Sequence, residues 1–268
     1  MRWRLLYTPG LPAVENMALD AALMERARTS GERVFRVYTW RRPTLSLGRN
    51  QAARGIYDPE AARSRGVDVV RRPTGGRAVL HHREVTYSVT GPASDAAESL
   101  RDAYASINRL LLDGLRRLGV RAELARPAAR APLPSGAPCF ETPTEGELVV
   151  GARKLVGSAQ FREQGAFLQH GSILIDDDQP LLSALATRPL PPVPPAATLR
   201  GALAGGASAG GALEAPPPDA AAVAAALFAA VREREDAAAS PLLLDAALAT
   251  AARLAAARYA ADAWTWRR

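Results

Sequence analysis

Two glycine-rich polar segments constrain this chain more than any other feature. The first is Arg71–His82, RRPTGGRAVLHH, in which Gly75 and Gly76 separate two stretches of strand-forming residues. The second is Lys154–Ser172, KLVGSAQFREQGAFLQHGS. Glycine permits a positive φ and a close approach of the backbone to a neighbouring group. Both segments therefore predict tight polar loops at strand ends, and Cys139, the only cysteine, lies between them in the sequence.

The composition is that of a globular protein. A chain of 268 residues with 48% hydrophobic and 23% charged residues can bury a substantial core. No apolar run approaches the roughly 20 residues of a membrane helix, and the first residues lack a signal-peptide pattern. We therefore expect a cytoplasmic protein with no membrane partner. One cysteine excludes an internal disulfide framework, and three histidines beside it argue against a structural metal site.

The charge balance points to acidic partners. The net charge is +7, and the 34 basic residues are arginines except for Lys154. Nucleic acid and acidic carrier proteins are both candidates. The alternative interpretation is a GC-rich genome that encodes arginine in place of lysine, without any functional meaning. Lys154, as the single lysine among 33 arginines, is a candidate functional residue, because lysine can release its proton and arginine cannot.

Strand and helix patterns alternate without a strict βαβ repeat, which predicts an α+β fold. The helical period is clear over 16–27 and over 99–118, where leucines form one stripe that ends at Gly119. Period-two alternation and apolar runs predict the strands 34–40, 44–48, 67–71, 78–80, 84–90, 147–150, 154–156 and 172–175.

The composition changes near residue 186. Residues 1–188 carry all the polar motifs and are predicted to form the catalytic domain. Residues 189–219 are rich in proline, glycine and alanine, which predicts a flexible linker. Residues 220–268 are predicted to form a small C-terminal helical segment.

Cys139 and Lys154 are the candidate catalytic pair. A free cysteine is most often a small buried hydrophobe. Here it follows a proline-rich loop, where a substrate can reach a thiol, and Lys154 follows across a predicted hairpin. A nearby ammonium group favours the thiolate, which is the nucleophilic form. Strand alternation places Lys154 on the same face as Val156.

The other polar residues of the two segments have two interpretations each. The glycines can admit a substrate or simply form turns, and the arginines around them can hold an anion or lie on the surface. All three histidines, His81, His82 and His170, fall in these segments. The side chains of Ser158, Gln160, Gln169 and Ser172 can donate hydrogen bonds to a thioester carbonyl or satisfy backbone groups at strand ends.

Taken together, the motifs resemble the biotin/lipoate protein ligase superfamily, and most closely the cysteine-dependent octanoyl-[acyl carrier protein]:protein N-octanoyltransferases. The resemblance covers about residues 3–185 and, loosely, the last thirty. The segments that carry it are Asn16–Asp20, Arg71–His81, Glu84–Val89, Cys139-Phe140, Gly151–Lys154, Gly157–Gln160, Leu168–Ile173 and Arg258–Trp264.

This resemblance implies a ligase-like catalytic domain with a mixed, largely antiparallel sheet flanked by helices. It implies transfer of an octanoyl group from octanoyl-acyl carrier protein to a lipoyl-domain lysine, in glycine cleavage H protein or E2 subunits. The transfer would run through a thioester on Cys139, assisted by Lys154, with no cofactor and no metal. The implied substrate-binding residues are Arg72, Thr74, Gly75, Gly76, Arg77, Ala78, His81, Gly157, Ser158, Ala159, Gln160, His170, Gly171 and Ser172.

Two departures from the ligase pattern bear on the activity. Lipoate ligases typically carry Gly-Gly-Gly-Ala-Val where this chain has Gly75-Gly-Arg-Ala-Val79, and His-Asp where it has His81-His82. Arg77 and Cys139 favour the transferase, whereas His82 has no explanation from the sequence.

The sequence also suggests three other functions. An ATP-dependent lipoate–protein ligase and an amidotransferase that moves octanoyl groups between lipoyl proteins stay open. A basic nucleic-acid-binding module is disfavoured, because the motif-bearing domain begins almost at Met1 and leaves no room for a helix-turn-helix.

Overall fold

The structure, a computed structural model, describes residues 1–93, 99–126, 140, 143, 145–191, 194–205 and 216–267. Cys139 lies outside the described residues. The helices are α1 Ala13–Ser30, α2 Pro59–Ser64, α3 Leu100–Arg117, α4 Leu199–Ala204, α5 Ala220–Arg234, α6 Ala246–Ala260 and α7 Asp262–Thr265, with a 3₁₀ helix at Gln179–Leu185. The strands are β1 Trp3–Leu11, β2 Arg33–Trp40, β3 Thr44–Leu47, β4 Asp68–Arg71, β5 Val79–His81, β6 Glu84–Pro92, β7 Glu123–Leu124, β8 Leu148–Val150, β9 Arg153–Glu163, β10 Ala166–Leu174 and β11 Ser240–Pro241.

The strands form two mixed sheets. The larger has the order β11-β1-β2-β6-β10-β9-β8-β7 and the smaller has the order β4-β3-β5. Strand β1 runs parallel to β2 and β11, whereas the remaining pairs of the large sheet are antiparallel. In the small sheet, β3 is parallel to β4 and antiparallel to β5. The predicted α+β class, with a mixed and largely antiparallel sheet flanked by helices, is confirmed.

Helix α3 covers the main core and shows how the sequence dictates the packing. Ser99 caps it by accepting a hydrogen bond from the Asp102 amide at 3.1 Å. The middle of its leucine stripe is buried, with Leu111 and Leu115 at 0% exposure. A Cβ built on Gly114 would lie 2.6 Å from Leu227 Cδ2, so glycine lets α5 pack closely against α3.

Residues 194–205 correct the linker prediction. Within the predicted linker 189–219, Thr198 caps helix α4 through a hydrogen bond from the Gly201 amide. Leu199 is fully buried in the same core as α3. A buried leucine anchors this part to the catalytic domain, so it is not a free linker. Residues 206–215 lie outside the described residues, and the domain boundaries stay a prediction.

The C-terminal helices pack on the rest of the molecule. Helix α5 contacts α3, and α6 contacts α1. Tyr259 and Trp264 join a hydrophobic cluster with Met17, Tyr38 and Val70. None of the helices in the described part of the chain is both long and apolar enough to cross a membrane.

Candidate active site

A cavity opens between the two sheets. The small sheet and its loop supply one side, whereas β2, β6, β9 and β10 of the large sheet and helix α1 supply the other. Nine of the residues implied by the resemblance line it: Arg72, Gly76, His81, Gly157, Ser158, Ala159, His170, Gly171 and Ser172. The two polar segments therefore meet in space. The second was predicted to be a loop, but it forms the hairpin β9–β10, with Gly157 and Gly171 inside paired strands.

Five other implied residues, Thr74, Gly75, Arg77, Ala78 and Gln160, do not line the cavity. The structure instead adds six residues that were not predicted: Met17, Tyr38, Trp40, Ser46, Val79 and Thr86. They come from α1, β2, β3, β5 and β6, so elements that are distant in the sequence meet at the cavity. Their aromatic and aliphatic carbons make the lining mostly apolar.

Arg72 holds the glycine loop, residues 72–78, in shape. Its Nη2 donates to the carbonyl oxygens of Gly75 at 3.0 Å and Arg77 at 2.7 Å. Its Nη1 donates to Ser46 Oγ at 2.8 Å. Gly76 has a φ of +91°, which an L side chain rarely adopts. The structure thus gives Arg72 a role in supporting the loop backbone.

His81 stands at the wall of the cavity in a defined orientation. Its ring stacks on Trp40 with centroids 4.3 Å apart. Its Nε2 lies 2.8 Å from Ser46 Oγ, which also accepts a hydrogen bond from Arg72. Its Nδ1 lies 3.5 Å from Glu84 Oε1.

Glu84 is a buried carboxylate that sequence reasoning did not select. It accepts hydrogen bonds from Ser172 Oγ and from Thr86 Oγ1, and Trp40 Nε1 donates to Thr86 Oγ1 at 2.9 Å. The sequence feature that could have identified Glu84 is the alternation of the polar residues Glu84, Thr86 and Ser88 along β6. It indicates that one face of this strand is polar.

His170 links the glycine loop to a buried ion pair. Its Nε2 lies 2.7 Å from Thr74 Oγ1, and its Nδ1 lies 3.3 Å from Asp20 Oδ2. Asp20 also binds Arg36 at 2.7 Å, with both side chains at 0% exposure. Burial favours a neutral imidazole and lowers the pKa of His170, against the opposing pull of Asp20.

The pKa of Asp20 is lowered as well. Burial alone would raise it, but the charge of Arg36 and the hydrogen bonds from His170 and Ser88 outweigh that effect. Asp20 is therefore an ionised acceptor, so His170 carries its proton on Nδ1 and accepts from Thr74 through Nε2.

Lys154 lies outside the cavity lining, in a buried ion pair. Its Nζ is 2.8 Å from Glu147 Oε1, and the side chains are 3% and 5% exposed. The Phe140 ring is 5.4 Å from the same Nζ and is itself buried. Because Cys139 lies outside the described residues, the pairing of Cys139 with Lys154 stays a prediction.

His82 lies at the protein surface, outside the cavity. Its side chain is 44% exposed, and its Nδ1 lies 3.2 Å from Asp178 Oδ2. Asp178 also accepts from Arg83 Nη2 at 2.6 Å. This surface cluster explains the residue that the sequence left unexplained, and it separates His82 from the cavity.

A family profile described as the lipoyl protein ligase A/B catalytic domain matches residues 12–193. The chain is 48% identical over 195 residues to octanoyltransferase LipM of Kyrpidia tusciae, covering 70% of this chain and 71% of that protein. It is 45% identical over 193 residues to octanoyltransferase LipM of Symbiobacterium thermophilum, covering 70% of each.

Two solved structures have a similar fold. The bipartite lipoate protein ligase of Thermoplasma acidophilum, solved with its E2 lipoyl domain, gives a TM-score of 0.74 at 20% identity, covering 99% of this chain and 96% of that chain. A lipoate-protein ligase A bound with ATP gives 0.74 at 22% identity, covering 99% of each. At these identities the likeness concerns the fold alone.

Proposed function

The chain belongs to the lipoyl protein ligase A/B catalytic domain family, and we propose that it moves an octanoyl group from octanoyl-acyl carrier protein to a lipoyl-domain lysine through a thioester on Cys139. It is an acyltransferase, an octanoyltransferase of lipoate biosynthesis, as its relatives at 40–48% identity are. The donor, the covalent intermediate and the acceptor are the proposed parts.

The observation that carries the proposal is the contact between Phe140 and Lys154. The buried Phe140 ring lies 5.4 Å from Lys154 Nζ. Consecutive Cα atoms are about 3.8 Å apart, so the peptide bond ties Cys139 to this anchored neighbour. An ammonium group close to a thiol favours the thiolate, and Lys154 is the one lysine of the chain.

In the first half-reaction, the Cys139 thiolate attacks the carbonyl carbon of the octanoyl thioester. The bond from that carbon to the carrier sulfur breaks, and the carrier leaves as a thiolate that takes up a proton. One thioester replaces another, so the step needs no external energy source. Lys154 balances the negative charge of the attacking sulfur.

In the second half-reaction, the neutral amine of the acceptor lysine attacks the acyl-enzyme. The carbon–sulfur bond to Cys139 breaks, an amide forms, and the proton of the amine returns to the sulfur. Because an amide is more stable than a thioester, the overall transfer is downhill without ATP. The predicted absence of a cofactor follows from this chemistry.

The cavity supplies the acyl subsite of the proposal. Met17, Tyr38, Trp40 and Val79 offer apolar contacts to a hydrocarbon chain. Ser158 of β9 also lines the cavity, with its Oγ 2.7 Å from Tyr87 OH, and offers a hydroxyl to the polar end of the acyl group. Acidic carrier and acceptor domains suit the net charge of +7, because complementary charge speeds encounter.

The test is the intact mass of the protein after mixing with octanoyl-acyl carrier protein in the absence of ATP. We expect a gain of one octanoyl group in the wild type and in Arg153→Ala, the matched control at the exposed neighbour of Lys154. Cys139→Ala should gain nothing, and Lys154→Met should gain it at least tenfold more slowly because its thiol loses the adjacent charge.

Addition of an apo lipoyl domain then tests the second half-reaction. The octanoyl mass should leave the wild-type enzyme and appear on the acceptor lysine. Product formed by Cys139→Ala at the wild-type rate, or product that requires ATP, would overturn the proposal. In a further reaction, an octanoylated lipoyl protein replaces octanoyl-acyl carrier protein as the donor. Transfer from this donor would identify an amidotransferase.

A further inference from the structure

Helix α7 is bonded to the strand that leads into the glycine loop. Trp264 Nε1 donates to the carbonyl oxygen of Arg71 at 2.8 Å, and Arg71 Nε donates to the carbonyl oxygen of Thr265 at 2.9 Å. Arg71 and Thr265 are 0% and 4% exposed. The two bonds run in opposite directions between the same two segments, so they fix both the distance and the orientation of α7.

The same arginine reaches a second loop, residues 48–51. Arg71 Nη1 donates to the carbonyl oxygens of Gly48 at 2.6 Å and Gln51 at 2.7 Å. Arg267, two residues after Thr265, donates to the carbonyl oxygen of Arg49. The C-terminal residues therefore hold this loop directly and through Arg71.

Loop 48–51 in turn packs against the glycine loop. The Arg49 amide donates to the Thr74 carbonyl oxygen at 2.7 Å. A Cβ built on Gly48 would overlap the carbonyl oxygen of Gly76, so the two backbones are in direct contact. Gly76 lines the cavity. A continuous series of contacts thus connects Trp264 to the wall of the acyl subsite.

We propose that Trp264 and Arg71 are positioning residues that set the place of the glycine loop and hence the affinity for the octanoyl donor. The identity of the ligand rests on the proposed function. The positioning of the loop rests only on the hydrogen bonds and backbone contacts described above. Neither residue touches the cavity, so each acts through the loop.

The indole N–H can be removed with little loss of packing. The Arg258 and Arg267 guanidinium carbons lie 3.7 and 4.0 Å from the centroid of the Trp264 ring. Phenylalanine keeps an aromatic face for both cations but leaves the Arg71 carbonyl without this donor. The loss of one hydrogen bond to a partly buried carbonyl makes displacement of the loop easier.

The experiment compares Trp264→Phe with Trp266→Phe in the full chain. Trp266 is the matched control, because it lies two residues away and its bond from Arg54 uses the backbone carbonyl oxygen. We expect Trp264→Phe to raise KM for octanoyl-acyl carrier protein about five- to tenfold with kcat within about twofold. Trp266→Phe should change KM less than twofold.

Hydrogen–deuterium exchange provides a readout that does not depend on activity. The amides of residues 72–78 should exchange about five- to tenfold faster in Trp264→Phe and at the wild-type rate in Trp266→Phe. Arg71→Lys should act in the same direction as Trp264→Phe, because lysine cannot bond the carbonyls of Gly48, Gln51 and Thr265 together.

Unchanged KM and unchanged exchange in Trp264→Phe would overturn the inference, as would equal effects in both variants. A lower melting temperature with unchanged exchange in the loop would assign Trp264 a purely stabilising role. If the wild type forms no octanoyl-enzyme, the proposed function fails, whereas the exchange of residues 72–78 still decides whether α7 positions the loop.

Discussion

Lys154 Nζ lies 2.8 Å from Glu147 Oε1, and neither side chain exposes more than 5% of its surface. Removing two charges from water is costly, so such a pair persists where each charge compensates the other. The carboxylate of Glu147 therefore makes it possible to keep an ammonium group beside Phe140, in the interior.

This pair should behave as a coupled unit. Glu147→Leu or Lys154→Met alone leaves one buried charge and should lower the free energy of unfolding by about 3–5 kcal/mol. The double substitution removes both charges and should recover most of that loss. Urea denaturation of the four proteins measures the cycle. Simple additivity of the two losses would contradict the coupling.

The pKa of His170 predicts a pH dependence of stability. Burial lowers this pKa below its ordinary value of 6.5, so the unfolded chain binds the proton first as the pH falls. The free energy of unfolding should be level above pH 6.5 and should fall below it, by at most about 1.4 kcal/mol per pH unit for this one group.

The free energy of unfolding, measured by denaturation at pH values from 7.5 to 5.0, checks this dependence. Asp20 titrates below this pH range, because its pKa is lowered. His170→Asn should flatten the slope below pH 6.5, whereas His82→Asn, at an exposed histidine, should retain it. An equal slope in wild type and His170→Asn would show that another group is responsible.

Gly48 should tolerate no side chain. A Cβ there would overlap the carbonyl oxygen of Gly76, and backbone cannot move aside as a flexible side chain does. We expect Gly48→Ala to lower the free energy of unfolding by about 1–3 kcal/mol. Gly75→Ala is the control, because a Cβ at Gly75 meets no atom within 4 Å and should cost less than about 0.5 kcal/mol.

Trp40 should limit the length of the acyl chain. Its indole lines the cavity and stacks on His81, so Trp40→Ala opens space along the apolar wall. A methylene in an apolar pocket is worth roughly 1–3 kcal/mol, so the rate ratio of dodecanoyl to octanoyl transfer should rise at least tenfold. Competition between the two donors measures the ratio. Leu254→Ala, at an exposed position on α6, should leave it unchanged.

Local sequence motifs predicted those cavity residues that lie in the two glycine-rich segments. The segments around Gly76 and Ser158 were selected for their glycines and polar side chains, and both reach the cavity. Trp40 and Thr86 were not selected, because their meeting depends on the pairing of β2 with β6. Alternation assigns a side chain to one face of a strand but does not assign the neighbouring strand.

The differences between the predicted and observed fold have separate physical causes. Residues 157–171 were predicted to be a loop because of their glycines, yet they form most of the hairpin β9–β10. The linker prediction averaged composition over residues 189–219 and so overlooked Leu199, a single apolar side chain that is fully buried. Strand β1, Trp3–Leu11, was not predicted, because its exposed and buried positions do not alternate regularly. Its place is determined by parallel partners that are distant in the chain.

One of those partners has a consequence for synthesis on the ribosome. Arg4 Nη1 donates to Ser240 Oγ at 2.6 Å across a separation of 236 residues, where β11 completes the sheet beside β1. A nascent chain cannot close this edge until Ser240, 236 residues after Arg4, has been translated. Strand β1 therefore keeps one side unpaired while those residues are synthesised, and an unpaired strand edge can pair wrongly.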